Sequence, residues 1–202
     1  MAKHHVIISG TGRAGTTCLV QVLTALGLDT GFADLTSAVQ ANCNAGMEWN
    51  LCHPNAPYLI KSPWLCDYLE EVLEHEDIVI DHAIIPMRDL YAAAESRRDV
   101  TARTDKTLYP GEIPGGLWHT TNPAEQEAVL AYQVYQLLYT LAKQDIPLVL
   151  LYFPRFIHDC DYLYRKIGFL LQGIEYARFL EVFRQVVKPE LVHDFRRTPS
   201  PP

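Results

Sequence analysis

Apolar residues come along this chain in two rhythms, short unbroken β-branched runs and longer stretches spaced by three and four, and the two alternate. His5-Val6-Ile7-Ile8-Ser9 reads as a buried strand over 5–9. Residues 15–27 follow with helical spacing and close at Gly27. The mixed, polar segment from Phe32 to Asn55 predicts short helices and loop over the sheet edge. Tyr58-Leu59-Ile60-Lys61 predicts a second strand. Ser62-Pro63 then caps a helix whose apolar positions Trp64, Leu65, Tyr68, Leu69, Val72 and Leu73 keep helical spacing, which assigns Trp64 to the core. Ile78-Val79-Ile80 and Ala83-Ile84-Ile85-Pro86 form the next apolar stretch, ending at Arg88, and Leu90 to Arg98 continues as an alanine-rich helix. Residues 99–123, punctuated by Pro110, Gly111, Pro114, Gly115, Gly116 and Pro123, predict one long loop, a place where function is often carried. Asn122-Pro123 opens a long helix to about Lys143, Pro147 to Tyr152 is a strand, and two helices precede a Thr198–Pro202 tail expected to fray.

Strands taking turns with helices predict an α/β fold, a three-layer α/β/α arrangement around a central, mainly parallel sheet, with ligands at the C-terminal strand ends. The chain's 202 residues suffice for one buried core, so a single domain over 1–198 is expected, with 199–202 a disordered tail. The longest apolar run, Ile146 to Phe153, is far below the roughly 20 residues that span a bilayer. The opening residues lack a secretory apolar region and cleavage site, so a cytoplasmic protein is expected. Cysteines 18, 43, 52, 66 and 160 have neither disulfide-framework nor metal-ligand spacing and are expected to be buried, reduced thiols with no metal site. The formal net charge of −7 argues against nucleic-acid binding, so an anionic ligand has to be held by local cations.

Such cations flank a glycine-rich loop. The first strand runs directly into Gly10-Thr11-Gly12-Arg13-Ala14-Gly15-Thr16-Thr17 and then into helix-forming sequence. Strand, glycine loop and helix in that order converge backbone N–H groups on one point, a cradle for a phosphate or sulfate ester. Against the P-loop pattern G-x-x-x-x-G-K-[ST], Gly10, Gly15 and Thr17 fit, but Thr16 stands where the lysine belongs and Arg13 lies three residues earlier.

This loop resembles the 5′-phosphosulfate loop of the sulfotransferases, in which a Lys or Arg and a small residue precede Gly-Thr-Thr or Gly-Thr-Ser. The resemblance implies 3′-phosphoadenosine 5′-phosphosulfate (PAPS) as co-substrate and 3′,5′-bisphosphoadenosine (PAP) as product. It implies that Gly12, Arg13, Ala14, Gly15, Thr16 and Thr17 hold the donor, with Arg13 on the bridging oxygen. The family's second donor motif, a strand-end arginine with a serine eight residues on that grips the 3′-phosphate, is matched by Arg88 and Ser96. Ile60-Lys61-Ser62-Pro63-Trp64 resembles the K-x-P element of bacterial members and makes Lys61 a possible phosphate-facing cation. Asn44 to Asn50 resembles their glutamate-bearing stretch. The resemblance covers residues 5 to 98 well and thins thereafter. Of the family's basic C-terminal segment only Lys188, Arg196 and Arg197 are available, without its glycines.

Sulfuryl transfer to a hydroxyl needs a base. Glu48 is the first candidate, His53 the second and His119 the third. Trp49, Trp64 and Trp118 are the candidate stacking rings. The expected function is therefore a metal-independent sulfotransferase moving a sulfuryl group from PAPS to a hydroxyl or amine of a small-molecule or saccharide acceptor. Two rivals stand beside it. A P-loop kinase or NTPase would use Ile78-Val79-Ile80-Asp81 as a strand ending in a magnesium-binding aspartate. A non-catalytic adenine-nucleotide-binding protein would keep the cradle without the chemistry.

Overall fold

The computed structural model describes residues 2–109 and 111–195. Pro110 of the long loop, Arg196, Arg197 and the Thr198–Pro202 tail lie outside the described residues. Four strands, β1 (Lys3–Ile8), β4 (Leu59–Lys61), β5 (Ile78–Met87) and β6 (Leu148–Tyr152), form one sheet in the order β4-β1-β5-β6, and every pairing is parallel. A pair of two-residue strands, β2 (Val39–Gln40) and β3 (Ala45–Gly46), makes a separate antiparallel hairpin.

The β-branched runs are apolar on both sides because both faces of the sheet are covered. Val6, Ile8 and Ile84 point to one face and pack with α1 (Thr16–Ala25) and with α5 (Arg155–His158), α6 (Cys160–Lys166) and α7 (Tyr176–Val186). Ile7, Ala83 and Ile85 point to the other, where α2 (Leu65–Leu73) and α4 (Gln126–Lys143) close the second core. The remaining helix, α3 (Leu90–Arg103), starts beyond β5 with Asp89 as its cap, the Asp89 carboxylate accepting from Ala92 N at 2.9 Å. The three-layer α/β/α architecture is therefore as the alternation of the sequence predicts, and no helix among the described residues is long and apolar enough to cross a membrane.

Several local expectations are corrected. Residues 32–55 form no helix among the described residues. Asp34 ties down a turn by accepting from Thr36 N and Ser37 N, and the hairpin follows with Asn44, Gly46 and Met47 at positive φ. Short polar side chains that bond their own backbone favour turns over helix here. Trp64 is not core: α2 begins after it, and it stands 43 % exposed. The Ser62 hydroxyl does not cap α2 but bonds the Tyr68 hydroxyl at 2.8 Å. Ile78 to Met87 is one ten-residue strand that runs through Asp81 and His82, because Asp81 finds a partner in His4 on the neighbouring strand. Helix α3 runs on through Arg103, so the long loop is shorter by one turn and itself contains a 3₁₀ turn at Lys106–Leu108. All five cysteines are free thiols, but only Cys43 is buried; Cys52 is exposed and the rest are half-buried. Burial pushes the Cys18 thiol up to about 12, which keeps it protonated at neutral pH.

Gly46 holds the hairpin against the preceding chain. Its φ is 146°, and a Cβ there would lie 1.9 Å from the Ala38 carbonyl oxygen. Gly46→Ala is expected to lower stability in urea unfolding by about 3 kcal/mol, since both strain and a backbone clash have to be relieved. Unchanged stability would mean that this close approach does not persist in solution.

Candidate anion-binding site

The loop between β1 and α1 curls because four of its residues take positive φ: Gly10 at 138°, Gly12 at 63°, Arg13 at 53° and Gly15 at 76°. Two of the glycines are also required by space. A Cβ on Gly12 would lie 2.7 Å from Arg97 Nη2, and one on Gly15 would lie 2.9 Å from the Phe156 ring. Gly15 precedes α1, whose first turn has no side-chain cap. Among the described residues, the backbone N–H groups of Gly12 to Thr17 donate to no protein acceptor. A curled run of free amides at a helix start is an anion nest.

Above this loop lies a cavity of about 880 Å³. Its walls are the loop, the β2–β3 hairpin, the end of β4, segment 111–118 and the stretch from Gln185 to His193. Among the described residues, six of the chain's 17 lysines and arginines line it, against two of its 24 acidic residues. In a chain of net charge −7 this is a local inversion of sign.

Arg13 and Arg88 both face this cavity. Arg13 Nε donates to Ser96 Oγ at 3.1 Å and Nη1 to the Cys43 carbonyl at 2.6 Å. Burial holds its pKa below the ordinary arginine value. Arg88, from the end of β5, donates through Nη1 to the Arg13 carbonyl and through Nη2 to the His193 carbonyl, each at 2.7 Å. Burial, and then the neighbouring Arg13 charge, lower its pKa to about 10. The Arg88/Ser96 spacing thus brings both groups to one wall, where Ser96 meets Arg13 and Arg88 braces the loop from its carbonyl side.

Thr17 and Lys61 form the second node. Lys61 is 2 % exposed, and its ammonium donates to Thr17 Oγ1 at 2.9 Å, to the Gly46 carbonyl at 2.7 Å and to Glu48 Oε1 at 3.0 Å. All three ammonium hydrogens are taken. A lysine charge therefore stands beside the loop, but it comes from the end of β4 and not from the position after Gly15. Burial lowers the Lys61 pKa and Glu48 opposes that shift.

The other candidates separate. Gly12, Gly15, Thr16 and Glu48 line the cavity; Ala14 does not, its methyl being packed in the core. His53 is not on the cavity wall. Its ring meets the edge of Trp49 at 5.3 Å, and its Nδ1 accepts from Asn55 N. His119 pairs with Asp67 at 2.9 Å, also off the cavity. Trp49 packs against Gly31 and Phe32, whereas Trp64 and the buried Trp118 both reach the cavity. Lys188 lines it as well. Asp81, which a magnesium-binding strand end would require, sits inside β5, well before its C-terminal end at Met87, paired with His4 at 2.7 Å and accepting from the Tyr58 hydroxyl.

Arg97 and Arg103 were not singled out by motif, yet both line the cavity. Arg97 carried a readable signal: it lies three or four residues from Ala93, Ala94 and Val100, on the buried face of α3. The chain matches no protein-family model, no curated protein and no solved structure.

Glu48→Gln leaves Lys61 buried beside a neutral amide. A stability loss of about 1–3 kcal/mol is expected at pH 7. Lys61 has a folded pKa below the ordinary 10.5, so the unfolded chain binds more protons between those values and stability rises with pH there. The deficit of Glu48→Gln should therefore shrink as pH rises towards 10.5, where Lys61 loses its charge and needs no counter-ion. Urea unfolding of both proteins across the alkaline range measures this. A constant deficit would show that Glu48 stabilises by some route other than its charge.

Proposed function

We propose that this protein is a sulfotransferase that moves a sulfuryl group from PAPS to a hydroxyl or amine of a small-molecule or saccharide acceptor. One observation carries the reading: Arg13 and Arg88, from the two separate stretches that resemble the family's donor motifs, face the same cavity over a loop of free amides. The cavity is large enough for a nucleotide with a small acceptor beside it.

In this reading the loop amides of residues 12–17, with Thr16 and Thr17, hold the phosphosulfate end, and Arg88, Ser96 and Lys188 bear on the 3′-phosphate end. The acceptor oxygen forms a bond to sulfur as the bond from sulfur to the bridging oxygen breaks, and PAP leaves. Arg13 neutralises the charge that grows on the departing phosphate. The acceptor's proton passes to Glu48, the one expected base that reaches the cavity, held in place by Lys61. No metal is needed for this charge balance, because fixed cations surround the leaving group. The five free thiols fit a reducing compartment, so the cytoplasm is the proposed location. The kinase reading loses its support with Asp81 inside β5 and paired with His4, well short of the strand's C-terminal end.

PAP is expected to raise the melting temperature more than ATP with magnesium does, by mass action on the folded state. With PAPS and pooled hydroxyl and amine acceptors, mass spectrometry should reveal an acceptor that has gained one sulfuryl group. Arg13→Ala is expected to cut transfer at least about a hundredfold while the fold survives, and Arg88→Ala to weaken PAP binding first. Preference for magnesium-ATP would restore the kinase reading. PAP binding without transfer to any acceptor would leave a nucleotide-binding protein, and full turnover by Arg13→Ala would remove Arg13 from the chemistry.

A further inference from the structure

Arg97 is among the most deeply buried cations of the fold, at 6 % exposure, and no carboxylate bonds to it among the described residues. Its Nη1 donates to the Gly116 carbonyl at 2.8 Å and its Nη2 to the Thr11 carbonyl at 2.7 Å. Its Nε is buried without a partner, and its guanidinium lies 5.1 Å from the centre of the Trp118 ring. Packing alone does not account for a charge here. A guanidinium taken out of water and given two carbonyls and a ring face, but no counter-charge bonded to it, is costly, and an apolar side chain of similar volume would fill the space at less cost.

The two carbonyls explain the charge. The Thr11 carbonyl and the Gly12 N–H are opposite ends of one peptide group, so the bond from Arg97 orients that group and polarises its N–H. Gly12 is glycine partly because Arg97 stands 2.7 Å from where its Cβ would be. Gly116 belongs to segment 111–118, which passes so close to the loop that a Cβ on Gly115 would lie 3.3 Å from Arg13 Nη1. One side chain thus ties the anion loop to the segment that walls the cavity, and places a positive charge behind both.

We propose that Arg97 is a positioning residue for the bound anion: from behind the loop it aims the Gly12 N–H, seats segment 111–118, and supplies a buried charge that a phosphate- or sulfate-type group in the cavity compensates. The proposal rests on the cavity being an anion site and not on the transfer chemistry. Burial and the nearby Arg13 charge lower the Arg97 pKa to about 10, so it stays protonated at neutral pH.

The test uses inorganic pyrophosphate with a metal chelator at low ionic strength, titrated into the full chain, Arg97→Met and Arg97→Lys by calorimetry and thermal melting. Arg97→Met is expected to bind pyrophosphate about tenfold or more weakly, and Arg97→Lys to recover part of that loss. Hydrogen exchange on the unmutated protein gives a reading that does not depend on a variant folding: pyrophosphate should slow exchange in 12–17 and 116–118 together. Pyrophosphate affinity of Arg97→Met within twofold of the unmutated protein would overturn the proposal, because a residue that only packs would lower the ligand-free melting temperature and leave the pyrophosphate increment intact. Protection confined to 12–17, or no pyrophosphate binding at all, would overturn it as well. Pyrophosphate binding without sulfuryl transfer would leave the proposal standing and remove the enzyme reading, so the two can fail separately.

Discussion

The structure depends on the confinement of positive charge around one turn of backbone. The β1–α1 loop holds a strained curl, with consecutive positive φ at Gly12 and Arg13, and two of its carbonyls are braced by arginines from other elements. Arg88 takes the Arg13 carbonyl and Arg97 takes that of Thr11. Two of the loop's oxygens are taken by arginine, while the N–H groups of 12–17 have no protein acceptor among the described residues and Gly12, Arg13, Gly15, Thr16 and Thr17 line the cavity. The electrostatics of the loop therefore follow from its bracing. The same guanidiniums that fix the carbonyls also make the cavity positive.

Lys61 plays the corresponding part for the rest of the fold. Its three hydrogen bonds join the end of β4, the first turn of α1, the hairpin at Gly46 and the carboxylate of Glu48. A buried ammonium is tolerable because every donor is used and one acceptor is charged. This node is also why a two-residue hairpin, too short to be stable alone, stays over the cavity. Hairpin, loop and sheet end are one mechanical unit, so the position of Glu48 relative to the loop is a property of the fold and not of a flexible segment.

The alternation of β-branched runs with helical spacing determined the layers and the parallel sheet, because those periodicities describe which sides of an element are dry. The loop was equally legible: Gly10, Gly12 and Gly15 announce a backbone that side chains would obstruct, and the structure shows the obstruction at Arg97 Nη2 and at the Phe156 ring. Arg13 and Thr17 stood out in the glycine loop and at the helix start it leads into, whereas Arg88, Ser96, Lys61 and Glu48 were singled out by the spacing and motifs of the resemblance. Short-range signals misled where local bonding decided the outcome. Residues 32–55 chose turns and a hairpin, and Trp64, spaced as core, fell one residue before its helix began.

What the sequence by itself determined is the order of elements, the glycine cradle and the residue types around it, since these rest on local sterics and on periodicity along one chain. What only the tertiary structure decided is who faces whom. Lys61 meets Thr17 across 44 residues, Arg97 meets Thr11 across 86, and His53 turns to Trp49 rather than to the cavity. Buried charges choose partners by distance and by the loss of water around them, and neither quantity exists until distant segments of the chain have been brought together.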